Sequence, residues 1–219
     1  MNPPILIETY APPPLCKPEI LRYAGCRAAD EETDKLLTQC TDEIKDKLTY
    51  KVCYCQLNVS IQDDSCDFGV FALRSNNLAK NLAGAKSVIL FAATLGVEID
   101  RLITRYSRTS PAKALMLQAI GAERIEALCD AFCSDMEAKL GTRLGVRFSP
   151  GYGDLPLETQ RDIFSLLDCP KRIGLSLNNS LLMSPSKSVT AFIKISDQNQ
   201  AKNKCSICDK QNCDFRSTK

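Results

Sequence analysis

The sequence contains no histidine among its 219 residues. This absence excludes Ser-His-Asp triads, Cys-His nucleophiles, HExxH zinc sites and every histidine metal ligand. It also removes the side chain that most often acts as a general base near neutral pH. We therefore expect a binding or electron-transfer accessory protein rather than a hydrolase, and we predict no catalytic residue.

Strong charge of one sign and long apolar runs are also absent. The formal net charge is +2, and lysine and arginine are scattered, so nothing in the sequence favours binding to nucleic acid or a membrane surface. The longest apolar run, residues 88–93, is too short to cross a bilayer. The first residues, MNPPILIETYAPPPL, lack the basic start and apolar core of a signal peptide. We therefore expect a soluble, cytoplasmic protein.

The order of the predicted elements indicates an α+β fold. Periodicity and capping residues predict helices over residues 18–23, 30–48, 76–82, 97–106, 110–139 and 157–167. Apolar alternation or short apolar runs predict strands over residues 51–59, 68–73, 88–94, 143–147, 173–177 and 187–195. Strands and helices do not alternate regularly, so we expect a single domain in which helices pack on an antiparallel or mixed twisted sheet.

The chain divides into three predicted parts. Residues 1–17 form a proline-rich N-terminal arm, residues 18–196 form the domain, and residues 197–219 form a polar linker and a cysteine-rich C-terminal tail. In the longest helix, apolar residues at helical spacing predict a buried stripe of Leu115, Ala119, Ala122, Ile125, Cys129, Phe132, Met136 and Leu140. The acidic residues Glu123, Glu126 and Asp130 share a face of this helix that we interpret as solvated.

The segment RFSPGYGDLP, residues 147–156, joins an arginine to a rigid, glycine-containing loop. Pro150 restricts one backbone angle, whereas Gly151 and Gly153 permit positive φ or a close backbone approach. Arg147 can bind a carboxylate through two parallel hydrogen bonds, and Tyr152 can stack on a ring or face a cation. A ligand with a carboxylate, a positive centre and an aromatic base would use these features. The alternative is a simple strand-to-helix turn with Arg147 in a surface ion pair.

Two ordered motifs resemble the activation domain of cobalamin-dependent methionine synthase. The first is Arg-x-x-Pro-Gly-Tyr-x-x-x-Pro, which begins at Arg147. The second is LNNSLLMSPSKSVTAF, residues 177–192, which is similar to a later segment of the family with Ser, Met-x-Pro and a small-residue strand. The resemblance covers residues 18–196 and implies a free-standing form of that domain. Where the family has Cys-Pro-Asp-His after the tyrosine, this chain has Leu-Pro-Leu-Glu at 155–158.

The resemblance implies an accessory role in methionine biosynthesis. The chain would bind S-adenosylmethionine and dock on the cobalamin domain of a methionine synthase that lacks its own activation domain. A low-potential electron donor such as flavodoxin or ferredoxin would reduce the inactive cob(II)alamin held by that partner, and S-adenosylmethionine would supply the methyl group that restores methylcobalamin. Carried over by the resemblance, the ligand-binding residues would be Arg147 for the carboxylate, Ser149, Pro150 and Gly151 for backbone contacts, and Tyr152 as a pocket wall.

The tail contains Cys205, Cys208 and Cys213 in a C-x2-C-x4-C pattern. Thiolates two residues apart can hold one metal ion, so we predict a metal site that binds zinc or an iron–sulfur cluster. A fourth ligand could be a carboxylate or one of the other cysteines, namely Cys16, Cys26, Cys53, Cys55 or Cys66. The alternatives are a redox dithiol at Cys205 and Cys208, or a reduced tail without metal.

Two other functions remain open beside the reactivation role. One is an electron-transfer protein whose tail holds an iron–sulfur cluster, or whose thiols carry electrons, and which reduces a corrinoid partner directly. The other is a module that uses S-adenosylmethionine as the substrate of a different transfer reaction. That function requires a catalytic base near Arg147, and the sequence offers no histidine for it.

Overall fold

Helices and strands follow one another in mixed order, which confirms the predicted α+β class. The computed structural model describes residues 3–26 and 29–196. The helices of this part are α1 (Lys17–Tyr23), α2 (Glu31–Ile44), α3 (Asn76–Leu82), α4 (Glu98–Thr109), α5 (Pro111–Leu140), α6 (Thr159–Leu167) and α7 (Cys169–Ile173). The strands are β1 (Leu6–Thr9), β2 (Lys51–Asn58), β3 (Ser60–Gln62), β4 (Ser65–Asp67), β5 (Ala72–Arg74), β6 (Ser87–Thr94), β7 (Ser176–Leu177), β8 (Met183–Ser184) and β9 (Ser188–Lys194).

The central sheet consists of four antiparallel strands in the order β1-β2-β6-β9. Cys53 of β2 lies opposite Ala92 of β6, and Ile89 of β6 lies opposite Ile193 of β9. Every residue of β6 after Ser87 is buried, as predicted for a strand covered on both faces. Two smaller antiparallel sheets are formed by β3-β4-β5 and by β7-β8.

Helices cover both faces of the central sheet. On one face α5 packs against the strands, where the Phe132 ring contacts Phe91 and Tyr54. On the other face α3, α6 and α7 close a second core, in which Phe192 of β9 stacks on Phe68. A third apolar cluster joins α5 to α1, α2 and α4. Helix α5 is therefore packed against the central sheet on one side and against α1, α2 and α4 on another.

Helix α5 begins and ends close to the predicted positions. Pro111 occupies its first turn, where no amide donor is needed, and Gly141 ends it in the left-handed region with φ of 62°. Five of the eight predicted stripe residues are buried, but Ala122 is half-buried, and Leu115 (55%) and Leu140 (36%) are exposed. The start of α5 faces the other helices rather than the sheet, so the buried position there shifts to Met116. Neither α5 nor any other helix in the described part of the chain has the length and apolar character needed to cross a membrane.

Several predicted boundaries are wrong. The chain reverses at Asp63, with φ of 53°, and the returning strand is β4, so the predicted strand over 68–73 does not form as one unit. Residues 143–147 form no strand and make only an isolated bridge between Leu144 and Ile195. The segment 173–177 starts in α7 and contributes only the two residues of β7. The second helix ends at Ile44, earlier than predicted. The strand boundaries are set by pairing between separate segments, which local patterns do not contain.

The proline-rich N-terminal segment contains a strand that the sequence analysis did not predict. Strand β1 pairs with β2, with Leu6 opposite Tyr54, at the edge of the sheet. Farther along, the Arg124 guanidinium of α5 donates to the carbonyl oxygens of Pro13 at 2.5 Å and Pro14 at 2.8 Å. These contacts hold the segment against the sheet and α5.

Candidate ligand-binding site at the Arg147 loop

The Arg147 loop, residues 147–156, begins at the outer edge of β9. Phe148 and Phe192 exchange two backbone hydrogen bonds of 2.9 Å, which align the start of the loop with the sheet. The Phe148 side chain is buried in the core beneath. Because side chains alternate along an extended backbone, the neighbouring Arg147 projects the other way, towards α5.

Backbone hydrogen bonds hold the middle of the loop in one shape. The Gly151 N–H donates to the Leu155 carbonyl at 2.9 Å, and the Leu155 N–H donates to the Tyr152 carbonyl at 3.0 Å. The Tyr152 N–H donates to the Ser149 carbonyl at 3.1 Å. Gly151 has φ of 89°, a backbone conformation that would be strained in any residue with a side chain. The Gly151 amide is therefore engaged inside the loop, and the ligand contacts of Ser149, Pro150 and Gly151 remain a prediction.

Asp154 clamps the loop onto the start of α3. Its carboxylate accepts hydrogen bonds from the Ser75 hydroxyl and from the backbone N–H groups of Asn76 at 2.8 Å and Asn77 at 3.1 Å. The Ser75 hydroxyl, followed by these amides, lowers the pKa of Asp154. Ser75 is also the N-cap of α3, because its hydroxyl accepts a hydrogen bond from the Leu78 N–H at 3.0 Å. Sequence reasoning missed Asp154, which lies 79 residues from Ser75.

Gly153 brings the loop close to α3. It has φ of 54°, and an added Cβ would lie 2.0 Å from Nδ2 of Asn77. The same loop exposes the Tyr152 side chain (59%), whose ring meets the Phe148 ring edge-on at 6.1 Å between centroids. The arrangement thus presents an aromatic ring to solvent from a backbone that is held at both ends.

Arg147 itself lies between the loop and α5. Its side chain is only 9% exposed, with Nη2 2.6 Å from Oε2 of Glu126 and Nη1 2.6 Å from Oδ1 of Asp130. Nη1 also lies 3.7 Å from Sγ of Cys133. The two carboxylate side chains are 43% and 65% exposed. The alternative interpretation, a turn with Arg147 in a surface ion pair, is therefore right about the ion pair. However, the Arg147 guanidinium is nearly buried, whereas the carboxylates of Glu126 and Asp130 face solvent.

The interpretation of one solvated acidic face on α5 is wrong for Glu123. Its side chain is 4% exposed and forms a buried ion pair with Arg124. Glu123 also accepts a hydrogen bond from the Cys16 backbone N–H at 3.1 Å. The sequence spacing cannot show this, because the N-terminal segment that covers Glu123 lies more than a hundred residues away.

The second motif, residues 177–192, is anchored to helices α4 and α5. Ser186 donates to Asp100 of α4 through its N–H and its hydroxyl, both at 2.6 Å. Lys187 donates a hydrogen bond to Oε1 of Gln118 at 2.5 Å. The aliphatic part of its side chain packs against α5 at Gly121, where an added Cβ would lie only 2.9 Å from Cε of Lys187. Burial lowers the pKa of Lys187, and Asp100 opposes that effect.

A separate surface groove of about 420 Å³ lies near the ends of β2 and β4. Its apolar lining includes Leu57, Val59, Phe68 and Val70. None of the five residues predicted to bind the ligand lines it. The Arg147 loop is therefore a surface site apart from this groove.

The predicted metal ligands Cys205, Cys208 and Cys213 lie outside the described residues, so the metal site stays a prediction. Within residues 3–26 and 29–196, no group of three acidic or cysteine side chains is arranged to hold a metal ion. Cys53 and Cys55 are buried in the core, where burial raises the pKa of Cys55 to about 12.

Comparison with known proteins gives three findings. The family described as "Vitamin B12 dependent methionine synthase, activation domain" matches residues 77–219. The methionine synthase of Mycobacterium tuberculosis (strain ATCC 25618 / H37Rv) is 35% identical over 103 residues, which are 45% of this chain and 8% of that protein. The chain thus spans a small part of that relative's length. The fold is similar to the crystal structure of the MetH reactivation domain bound to AdoHcy, with a TM-score of 0.65, 14% identity, and coverage of 92% of this chain and 81% of that chain.

Proposed function

We infer the function from one premise, which is that this chain belongs to the activation-domain family of vitamin B12 dependent methionine synthases. We propose that it binds S-adenosylmethionine and positions it for the reductive reactivation of cobalamin in a partner enzyme. The partner would be a methionine synthase that lacks its own activation domain, and a low-potential donor such as flavodoxin or ferredoxin would supply the electron. The structural neighbour binds AdoHcy, which differs from S-adenosylmethionine by one methyl group on sulfur.

The observation that carries the proposal is the position of Arg147. It is a nearly buried cation whose counter-charges are exposed, and it opens the loop that presents Tyr152 to solvent. A guanidinium favours a planar anion, and a ligand carboxylate would bind Arg147 by displacing Asp130, Glu126 or both from its terminal nitrogens. The Asp154 clamp and the loop's own hydrogen bonds keep these groups in place before any ligand arrives.

Each part of the proposed ligand then has a matching group. Arg147 would bind the carboxylate of S-adenosylmethionine, and Tyr152 would face the adenine ring or the sulfonium. The backbone of Ser149, Pro150 and Gly151 would line the ligand between them. The binding residues come from a sheet edge and a clamped loop, so little conformational entropy is lost on binding.

The chain's own contribution to the reaction is positioning. Cobalamin, when bound in the partner, supplies the cobalt that accepts the methyl group. With no histidine, this chain has no imidazole ligand for the metal, and we assign its residues only the binding and orientation of the methyl donor. Holding two reactants in a productive orientation is by itself a large contribution to rate, because it removes the entropy cost of their encounter.

The test uses the complete reaction. The full chain is mixed with cob(II)alamin-loaded methionine synthase from the same organism, S-adenosylmethionine and a low-potential reductant, and the cobalt absorbance is followed. We expect conversion to methylcobalamin that requires this chain and falls at least about tenfold with Arg147→Ala, because a charge-assisted contact to the ligand is lost. Arg143→Ala is the matched control, since Arg143 is an exposed arginine paired only at 3.1 Å with Glu137.

Two outcomes contradict the proposal. One is conversion at the same rate with and without this chain. The other is conversion that depends on the chain but is equally fast with Arg147→Ala, which would retain the reactivation role and remove the assignment of the site.

A further inference from the structure

Two cysteines that are far apart in the sequence meet in the core between the central sheet and α7. Cys53 of β2 and Cys169 of α7 are free thiols, and the side chains of both are fully buried in the same apolar cluster. The Cys169 thiol donates a hydrogen bond to the Cys53 sulfur. The Arg147 site uses neither thiol, so this pair is available for a chemistry of its own.

The fold fixes both backbones at this contact. Cys53 lies on an inner strand of the central sheet, opposite Ala92 of β6. Helix α7 packs directly against β2, and the turn that leads into it places Cys169 in the core through Asp168, with φ of 48°. The Cys169 carbonyl accepts a hydrogen bond from the Leu175 N–H at 3.3 Å. The two sulfurs therefore meet at held backbone positions, and a short shift of the side chains would join them.

A cation lies beside the two thiols. Arg172 follows Cys169 on α7, and within the described residues its Nε is buried and has no hydrogen-bond partner. The hydrogen bond from Cys169 lowers the pKa of the Cys53 thiol, burial opposes this effect, and the Arg172 guanidinium adds to it.

Cys55 is the matched contrast to Cys53. It lies two residues along the same face of β2 and is buried in the same cluster. Burial, followed by the charge of Cys53, raises the pKa of the Cys55 thiol to about 12. The thiolate is the reactive form of cysteine, so Cys53 is the more nucleophilic of the two neighbours.

We propose that Cys53 and Cys169 are a site of oxidative modification, at which a peroxide forms a disulfide between β2 and α7 and a dithiol reductant reopens it. The Cys53 sulfur attacks one oxygen of hydrogen peroxide, so an S–O bond forms, the O–O bond breaks, and the departing hydroxide takes up the Cys53 proton. The Cys169 sulfur then attacks the Cys53 sulfur, the S–S bond forms, and the S–O bond breaks. The second hydroxide leaves with the Cys169 proton. Two thiols thus lose two electrons to one peroxide, and two waters are released.

The disulfide ties the sheet to the helices that follow the Arg147 loop. The loop ends at residue 156, α6 begins at Thr159, and α7 begins at Cys169. The two cysteines are more than a hundred residues apart, so their link removes much conformational freedom from the unfolded chain. We therefore expect oxidation to stabilise the part of the fold that supports the loop.

The rate of the reaction depends on access. Neither thiol of the pair reaches the surface, so peroxide must enter during local openings of the core. Cys16, Cys26 and Cys133 are only half-buried. Oxidation of the pair should therefore be slower than oxidation of these three cysteines.

The test is oxidation of the folded full chain with hydrogen peroxide over increasing times. The protein is then unfolded in excess N-ethylmaleimide, and linked peptides are identified by mass spectrometry. We expect a Cys53–Cys169 link that accumulates with time and disappears with dithiothreitol. In Cys53→Ala, Cys169 should stay free for alkylation, because it has lost the thiol that it contacts. In the control Cys55→Ala, the Cys53–Cys169 link should form as in the unmodified chain.

Thermal unfolding of the same samples tests the tie between β2 and α7. The oxidised chain should unfold at least about 5 °C above the reduced chain, and Cys53→Ala should not show this gain. Unfolding of the reduced variants also shows that each of them is folded.

Three results would overturn the proposal in whole or in part. If Cys53 and Cys169 are still alkylated when the half-buried cysteines are oxidised, or if Cys53 links to Cys55 as readily as to Cys169, the pair is only packed in the core. If the link forms only under unfolding conditions, it is not a property of the fold. A link without a rise in the unfolding temperature retains the modification site and removes the tie. No step of this test uses S-adenosylmethionine, so its result does not depend on the proposed function.

Discussion

Two arginines meet acidic residues of the same helix, α5, in opposite surroundings. The Arg124 side chain is 5% exposed and its partner Glu123 is 4% exposed. Arg124 also donates to the carbonyls of Pro13 and Pro14, and Glu123 accepts from the Cys16 N–H. Every partner of this pair is supplied by the protein itself, and the pair joins the N-terminal segment to α5.

The Arg147 cluster uses the same side-chain types with a different result. Its cation is nearly buried, but Glu126 and Asp130 reach into solvent. Water and ligands could therefore compete for Arg147, whereas the Arg124 side chain is almost entirely covered by the described part of the protein. We propose that the Arg124 pair serves stability and that the Arg147 cluster serves binding.

The largest expected effect is on the buried pair. Arg124→Ala leaves Glu123 charged and without its partner in the interior, which should lower the free energy of unfolding by about 3–5 kcal/mol. Urea denaturation followed by circular dichroism measures this loss. Arg101→Ala, which breaks the exposed pair with Glu98, should cost at most about 1 kcal/mol. Equal losses in the two variants would remove the distinction between buried and exposed pairs.

A smaller effect tests how the loop is held. Gly153→Ala places a Cβ against Asn77 in addition to straining a positive φ, so we expect a loss of about 1–3 kcal/mol in unfolding free energy. Gly141 has a similar φ of 62° with no atom near the position of an added Cβ. Gly141→Ala therefore measures the strain alone, and it should cost less than Gly153→Ala. Equal losses of unfolding free energy in the two variants would mean that Gly153 is not in close contact with Asn77 of α3.

The smallest expected effect concerns acid stability. The pKa of Asp154 is lowered in the fold by the Ser75 hydroxyl and the α3 amides, so its contribution is present above the pKa of the unfolded chain, about 3.9. That contribution is lost as the pH falls through the lower pKa of the folded state. Asp154→Asn should thus flatten the decline of stability in this acidic range, as followed by thermal unfolding at pH 2 to 6, whereas exposed Asp42→Asn should not. An unchanged decline with Asp154→Asn would show that this carboxylate does not clamp the loop.

The elements that the sequence predicted well carry their own local signals. Ser110-Pro111 starts α5, the Ser75 hydroxyl caps α3, and the run at 88–93 consists of apolar residues alone. The Arg147 loop was predictable for the same reason, because proline restricts φ and glycine permits positive φ wherever they stand.

What the sequence could not supply was contact between distant residues. Arg147 meets Asp130 and Glu126 across 17 and 21 residues, and Asp154 meets Ser75 across 79. The spacing on α5 placed Glu123, Glu126 and Asp130 on one face, yet burial by the N-terminal segment separates Glu123 from the others. Local patterns therefore predicted the loop, and tertiary packing decides which of the surrounding charges face solvent.

The most direct test of the central claim, that Arg147 is a ligand-binding rather than a structural arginine, is a calorimetric titration with S-adenosylmethionine. The unmodified chain, Arg147→Ala and Arg143→Ala are compared under the same conditions. We predict binding that weakens at least about tenfold with Arg147→Ala and changes less than about twofold with Arg143→Ala. Equal affinity in all three proteins would contradict the claim and would place Arg147 with Arg124 among the structural arginines.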